Sequence, residues 1–130
     1  MKPATVLYGT NLPQKFFQAQ REDFPSNCDL LIIAGSSLTV QPACNLVTQV
    51  NTTTPRILVN RELVGSELGI SNDTGRDHII ISDCDDGFIE LARQLGWLPE
   101  LYQYATDMCD NSKVKVTKAY EDYIKSSSSL

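Results

Sequence analysis

Three short polar clusters in this 130-residue chain each follow an apolar run: Gly35-Ser36-Ser37 after residues 30–34, Asn60-Arg61-Glu62 after 57–59, and Asp83-Cys84-Asp85 after 79–81. Small residues let a backbone approach a ligand closely, while amide, carboxylate and hydroxyl side chains can hold sugar hydroxyls. In open parallel sheets, ligands bind outside the carboxyl ends of the strands. Three such clusters in one chain therefore point to a nucleotide site. The GxGxxG fingerprint is absent, so the usual pyrophosphate turn is not expected here. A catalytic residue is not assigned either. The single histidine, His78, adjoins an isoleucine run and reads as a strand-edge or surface imidazole. Asp83, Asp85 and Asp86 suit a helix N-terminus, where carboxylates cap free N–H groups and offset the dipole. Cys28, Cys44, Cys84 and Cys109 contain no CxxC pair. No metal ligand is assigned, and the four read as buried, reduced thiols of an intracellular protein.

These clusters need a scaffold. Residues 5–8 and 57–59 read as strands, and so do the continuous apolar runs 30–34 and 79–81. Such runs suit strands covered on both faces. Pro13 can open a helix whose apolar face is Phe16, Phe17 and Phe24, and Pro25 stops it. Pro42 opens a second helix, with Ala43, Leu46, Val47 and Val50 in one stripe. Residues 65–76 read as a loop. Phe88, Leu91, Ala92 and Leu95 mark one face of a third helix, which Gly96 ends. Alternating strands and helices predict an α/β fold, a parallel sheet with helices on both faces. The chain turns polar from about Asp107. Residues 113–125 read as a solvated helix and 126–129 as frayed.

Composition narrows the partners. The formal charge is −5, with 11 basic and 16 acidic residues, which argues against direct binding to nucleic acid. An apolar fraction of 42% is compatible with one packed domain. No window reaches the ~20 apolar residues of a membrane span, and residues 1–13 carry no secretory h-region. The expected location is intracellular, cytoplasmic or nuclear.

In collinear order the chain resembles the sirtuin (Sir2-type NAD-dependent protein-lysine deacylase) family. Lys2-Pro3 with residues 6–13 (VLYGTNLP) is similar to its KPxxVFFGExLP segment. Residues 28–42 resemble CDLLLVxGTSLxVxP, and residues 55–62 resemble PRxLINxE. Asp83-Cys84-Asp85 and Leu95-Gly96-Trp97 resemble the GDCD and LGW elements. The match fades after Leu101. It implies a partial Rossmann-like NAD-binding domain over residues 1–106, lacking the zinc module, and a polar tail over 107–130. It implies NAD or ADP-ribose contacts at Gly35, Ser36, Ser37, Asn60, Arg61, Glu62 and Cys84, with Asn60 as the ribose-hydroxyl partner. Val6, Tyr8, Gly9, Thr10 and Val40 would flank an acylated lysine peptide. The family glutamate after Gly9 is Thr10 here, and its Phe pair is Leu7-Tyr8. The family's catalytic His, Gly-rich loop and zinc cysteines precede the KP segment. The resemblance therefore implies the NAD- and acyl-peptide-binding half of a deacetylase, inactive alone, with zinc only in the preceding part. The alternative is a non-catalytic nucleotide- or acyl-peptide-binding module.

Overall fold

The computed structural model describes residues 6, 7 and 9–127. Its centre is strand β2 (Arg56–Asn60), with β1 (Leu31–Ala34) and β3 (Asp77–Ile81) on either side. All three run parallel in the order β1-β2-β3. Leu58 and Val59 point to opposite faces of the sheet and are both almost fully buried.

Two cores hold the molecule together. The first joins Ile33, Leu38, Cys44, Val47, Leu58 and Ile70 on one face of the sheet. It lies beneath a 3₁₀ turn (Ala43–Asn45), helix α2 (Leu46–Gln49) and the loop that carries Ile70. On the other face, helix α3 (Cys84–Gln94) sits over β2. Gly87 makes that approach possible, because a Cβ there would collide with Val59 Cγ1 and come within 2.8 Å of Ser82 Oγ. The second core joins Ile89, Ala92, Leu98, Ala105, Val116 and Ala119. It binds α3 to α4 (Leu98–Gln103) and α5 (Asp110–Ser127). Helix α1 (Gln14–Asp23) buries no residue.

The parallel α/β architecture matches the sequence reading, and several local expectations change. The run 30–34 is covered on one face only: Leu30 is 47% and Ile32 43% exposed. Among the described residues β1 is an edge strand, and α3 seats over Val59 instead. The α3 face shifts too. Gly87, Ile89 and Ala92 are its buried residues, while Phe88 and Leu95 stay exposed. Seating the helix through Gly87 turns Ile89 and Ala92 toward the second core. After Pro42, the buried stripe is Cys44, Val47 and Val50, with Ala43 exposed. A 3₁₀ first turn changes the phase of the side chains. Gly96 does end α3, with φ +73°. The Gly96 N–H bonds Arg93 O at 3.1 Å and the Trp97 N–H bonds Ala92 O at 2.7 Å, a Schellman closure.

Residues 113–125 are not a solvated helix. They belong to α5, where Val116 is 3% and Ala119 8% exposed. Nor are all the thiols buried: Cys44 is, while Cys109 is exposed. Val6 and Leu7 lie in no strand. Thr5, Tyr8, Ser128 and Ser129, on which other expectations fell, lie outside the described residues. No helix among the described residues is long and apolar enough to cross a membrane.

Candidate functional site

The three strand ends open into one cavity of about 480 Å³. Gly35, Ser36 and Ser37 line it after β1, Asn60, Arg61 and Glu62 after β2, and Asp83, Cys84 and Asp85 after β3. Parallel pairing in consecutive register produces this convergence, since it ends all three strands at one rim.

The turn after β1 is the most constrained part. Gly35 continues the ladder, its N–H bonding Val59 O at 3.1 Å, and then turns with φ +57°. A Cβ at this position would stand 3.2 Å from Cys84 Sγ. Cys84 therefore backs the turn, and its thiol faces inward. Ser36 Oγ accepts the Leu38 N–H at 3.1 Å. Leu38 also has a positive φ, 55°. That conformation is costly for a side chain with a Cβ. Burial in the first core holds it there, with 7% of its surface exposed. Ser37 Oγ lies 2.9 Å from Thr39 Oγ1.

After β2, the Asn60 side chain is buried and donates to Glu62 O at 3.0 Å. It thus shapes the strand end as well as lining the cavity. Arg61 extends outward, and its Nε donates to Asp83 Oδ1 at 2.5 Å. Asp83 occupies the N-cap position of α3 by backbone geometry, but its side chain makes no capping hydrogen bond. The capping expectation gives way here because the carboxylate is committed to Arg61.

The sequence reading missed the outer wall. Asn111 and Lys115 of α5 line the same cavity. Lys115 Nζ reaches Asp86 Oδ2 at 2.9 Å and Asp83 Oδ2 at 3.9 Å. The Asp86 hydrogen bond, with the charges of Asp86, Asp83 and Asp85, pushes the Lys115 ammonium above its ordinary value. Ser112 donates to Asp85 Oδ2 at 2.7 Å. No local signal could tie residues 111–115 to residue 84. The 116, 119, 120, 123 spacing of apolar residues would at least have shown that α5 packs.

A second cavity, of about 440 Å³, lies between two irregular segments. Val6, Gly9 and Thr10 line one side and Val40 the other, together with Phe17 and Pro42. The Thr10 hydroxyl and N–H both bond Leu7 O, at 2.6 and 3.1 Å, which closes a turn. Tyr8, expected in this wall, lies outside the described residues. His78 belongs to neither cavity. It is exposed on β3, opposite Ile57 of β2. Among the described residues no three His, Cys, Asp or Glu side chains gather as metal ligands.

The profile of the Sir2 family matches residues 1–42. The chain is similar to the NAD-dependent protein deacetylase sirtuin-2 of Danio rerio, at 44% identity over 78% of this chain and 30% of that protein. It is also similar to the NAD-dependent protein deacetylases hst2-1 and hst2-2 of Emericella nidulans. The first is 42% identical over 87% of this chain and 30% of the relative. The second is 36% identical over 100% of this chain and 36% of the relative. The chain thus spans about a third of the length of the curated relatives it matches.

Proposed function

The chain belongs to the Sir2 family, and from that premise we propose that its strand-end cavity holds the adenosine end of NAD or ADP-ribose. One observation carries this reading: all three strand-end clusters line a single cavity of nucleoside size. The residues fit such a ligand. Gly35, with no Cβ and a left-handed backbone, lets the chain pass close to it. Ser36 and Ser37 offer hydroxyls. Asn60 keeps an amide oxygen for a ribose hydroxyl while its N–H holds Glu62 O. Arg61 and Glu62 border the ribose side, and Cys84 closes the floor through its backbone and its inward thiol.

The second cavity takes an acylated lysine peptide. Its two walls are irregular backbone, and a peptide can add between such segments through main-chain hydrogen bonds. Val6, Gly9, Thr10 and Val40 shape the wall, with Tyr8 beside them in sequence. NAD, when bound, supplies the activated ribose that accepts the acyl group. This chain's residues bind and orient the partners, and zinc belongs to a part of the family that lies outside these residues. A formal charge of −5 disfavours nucleic acid as a partner. Free thiols with no disulfide suit a reducing cytoplasmic or nuclear compartment.

Calorimetry with ADP-ribose and NAD tests the cofactor site. The two ligands should bind with similar affinity, because no residue assigned to this site contacts nicotinamide. Asn60→Ala should weaken both by about 5- to 30-fold, the loss of one buried hydrogen bond and the turn it shapes. Equal affinity of wild type and Asn60→Ala would remove Asn60 from the site.

A further inference from the structure

We propose that α5 is part of the cofactor site, and that Lys115 makes the cavity accept a phosphate-bearing ligand. This rests on the adenosine reading of the same cavity and adds the residue that sets its charge preference. Lys115 lies beyond Leu101, past the last of the motifs that carry the family resemblance.

Charge poses the problem. Glu62, Asp83 and Asp85 line the cavity, and Asp86 stands beside it in the first turn of α3. Left alone, these carboxylates repel a diphosphate. Three contacts counter them. Arg61 pairs with Asp83, Ser112 hydrogen-bonds Asp85, and Lys115 bridges Asp86 and Asp83. Two of these come from the first turns of α5. The two cations differ in how firmly they are held. The Arg61 side chain is 84% exposed, whereas that of Lys115 is 26% exposed. An exposed ion pair is screened and mobile, while a half-buried one keeps its field. Lys115 is therefore the cation whose position is fixed at the cavity wall. Without it, the lining charge shifts from −1 (Arg61 and Lys115 against Glu62, Asp83 and Asp85) to −2. A neutral nucleoside is indifferent to that change, and an anionic diphosphate is not.

The test compares adenosine with ADP-ribose on the full chain by calorimetry. Lys115→Gln should weaken ADP-ribose on the order of tenfold, the effect of one unit charge at a partly screened site, and leave adenosine within about twofold. Lys115→Arg should retain ADP-ribose affinity. Adding Asp86→Asn to Lys115→Gln should restore most of it, since the carboxylate that Lys115 answers is then gone. Unchanged ADP-ribose affinity in Lys115→Gln overturns this inference alone. Parallel loss of both ligands overturns it too, and leaves Lys115 a structural tie between α5 and α3. If wild type binds neither ligand, the cofactor reading falls and this inference falls with it.

Discussion

Arg56→Ala should cost roughly 3–5 kcal/mol of folding stability, measured by denaturant unfolding, because it strands a buried carboxylate. Arg56 and Asp77 are each 1% exposed at the side chain. Arg56 Nε and Nη2 donate to the two carboxylate oxygens of Asp77, both at 2.6 Å. Nη1 donates to Val47 O at 3.0 Å, and Nη2 to Gly69 O at 2.6 Å. The guanidinium thus ties β2, β3, α2 and the 65–76 loop together at the end of the sheet opposite the cavity. Truncation takes away the two-pronged partner of Asp77, leaving it the Ser71 N–H and a more distant Arg76, 3.9 Å away, with two carbonyls short of a donor. Replacing both partners, as in Arg56→Met with Asp77→Leu, should cost much less, since no buried charge remains. An Arg56→Ala protein as stable as wild type would show that the pair is not a staple.

The same pair sets an acid limit. Burial pushes the Asp77 carboxyl up, but the hydrogen bonds from Arg56, the Ser71 N–H and Thr74, with the Arg56 charge, outweigh it and lower the value from 3.8 to about 2. A lowered folded-state value means that unfolding takes up a proton. The stabilisation is present above about pH 4 and is lost as pH falls toward 2, amounting to about 2 kcal/mol. Thermal unfolding between pH 5 and pH 2 should show this loss in wild type. Arg56→Ala should shrink this loss, because only the hydrogen bonds from the Ser71 N–H and Thr74 then oppose the effect of burial.

The second large effect is catalytic. Purified chain mixed with NAD and an acetyl-lysine peptide should release no nicotinamide above background. A positioned general base contributes ~10²–10⁴ in rate, and the only histidine here is badly placed for that role. His78 is the second residue of β3, three steps before Ile81. At strand geometry that is ~10 Å from the rim where the cavity opens. Turnover that disappears in His78→Ala would overturn both this expectation and the assignment of His78 to the surface. Turnover that appears only when other Sir2-family sequence is added would place the base there.

Much of the cavity was legible in the sequence, for a physical reason. A buried strand needs an uninterrupted apolar run, so the first polar residues after it mark where the strand leaves the core. Gly35, Asn60 and Asp83 each stand at such a break. What surrounds a strand is less legible. The run 30–34 is apolar throughout, yet Ile32 is exposed, because among the described residues β1 has one neighbouring strand and α3 lies over β2. Apolarity records that a residue tolerates burial and does not name the element that buries it. The outer wall was hidden for a related reason. Lys115 sits among charged residues that look solvated, and only the packing of Val116 and Ala119 against α3 brings its ammonium to the rim. The Arg56–Asp77 pair was invisible too, since nothing local in either segment announces a partner 21 residues away.

The order of the sheet also bears on how quickly the chain can find it. Leu31 pairs with Arg56, 25 residues on, and Arg56 with Asp77, 21 residues on. Closing loops of these two lengths differs in entropy by only about 0.2 kcal/mol. Neither pairing gains priority from chain length, and neither waits for a distant segment to arrive. Short separations of this kind favour fast assembly for a parallel sheet, whose strands otherwise meet slowly. What both pairings share is β2. Its Leu58 and Val59 must be in place for either neighbour to dock, which makes this strand the common element of every route to the native sheet.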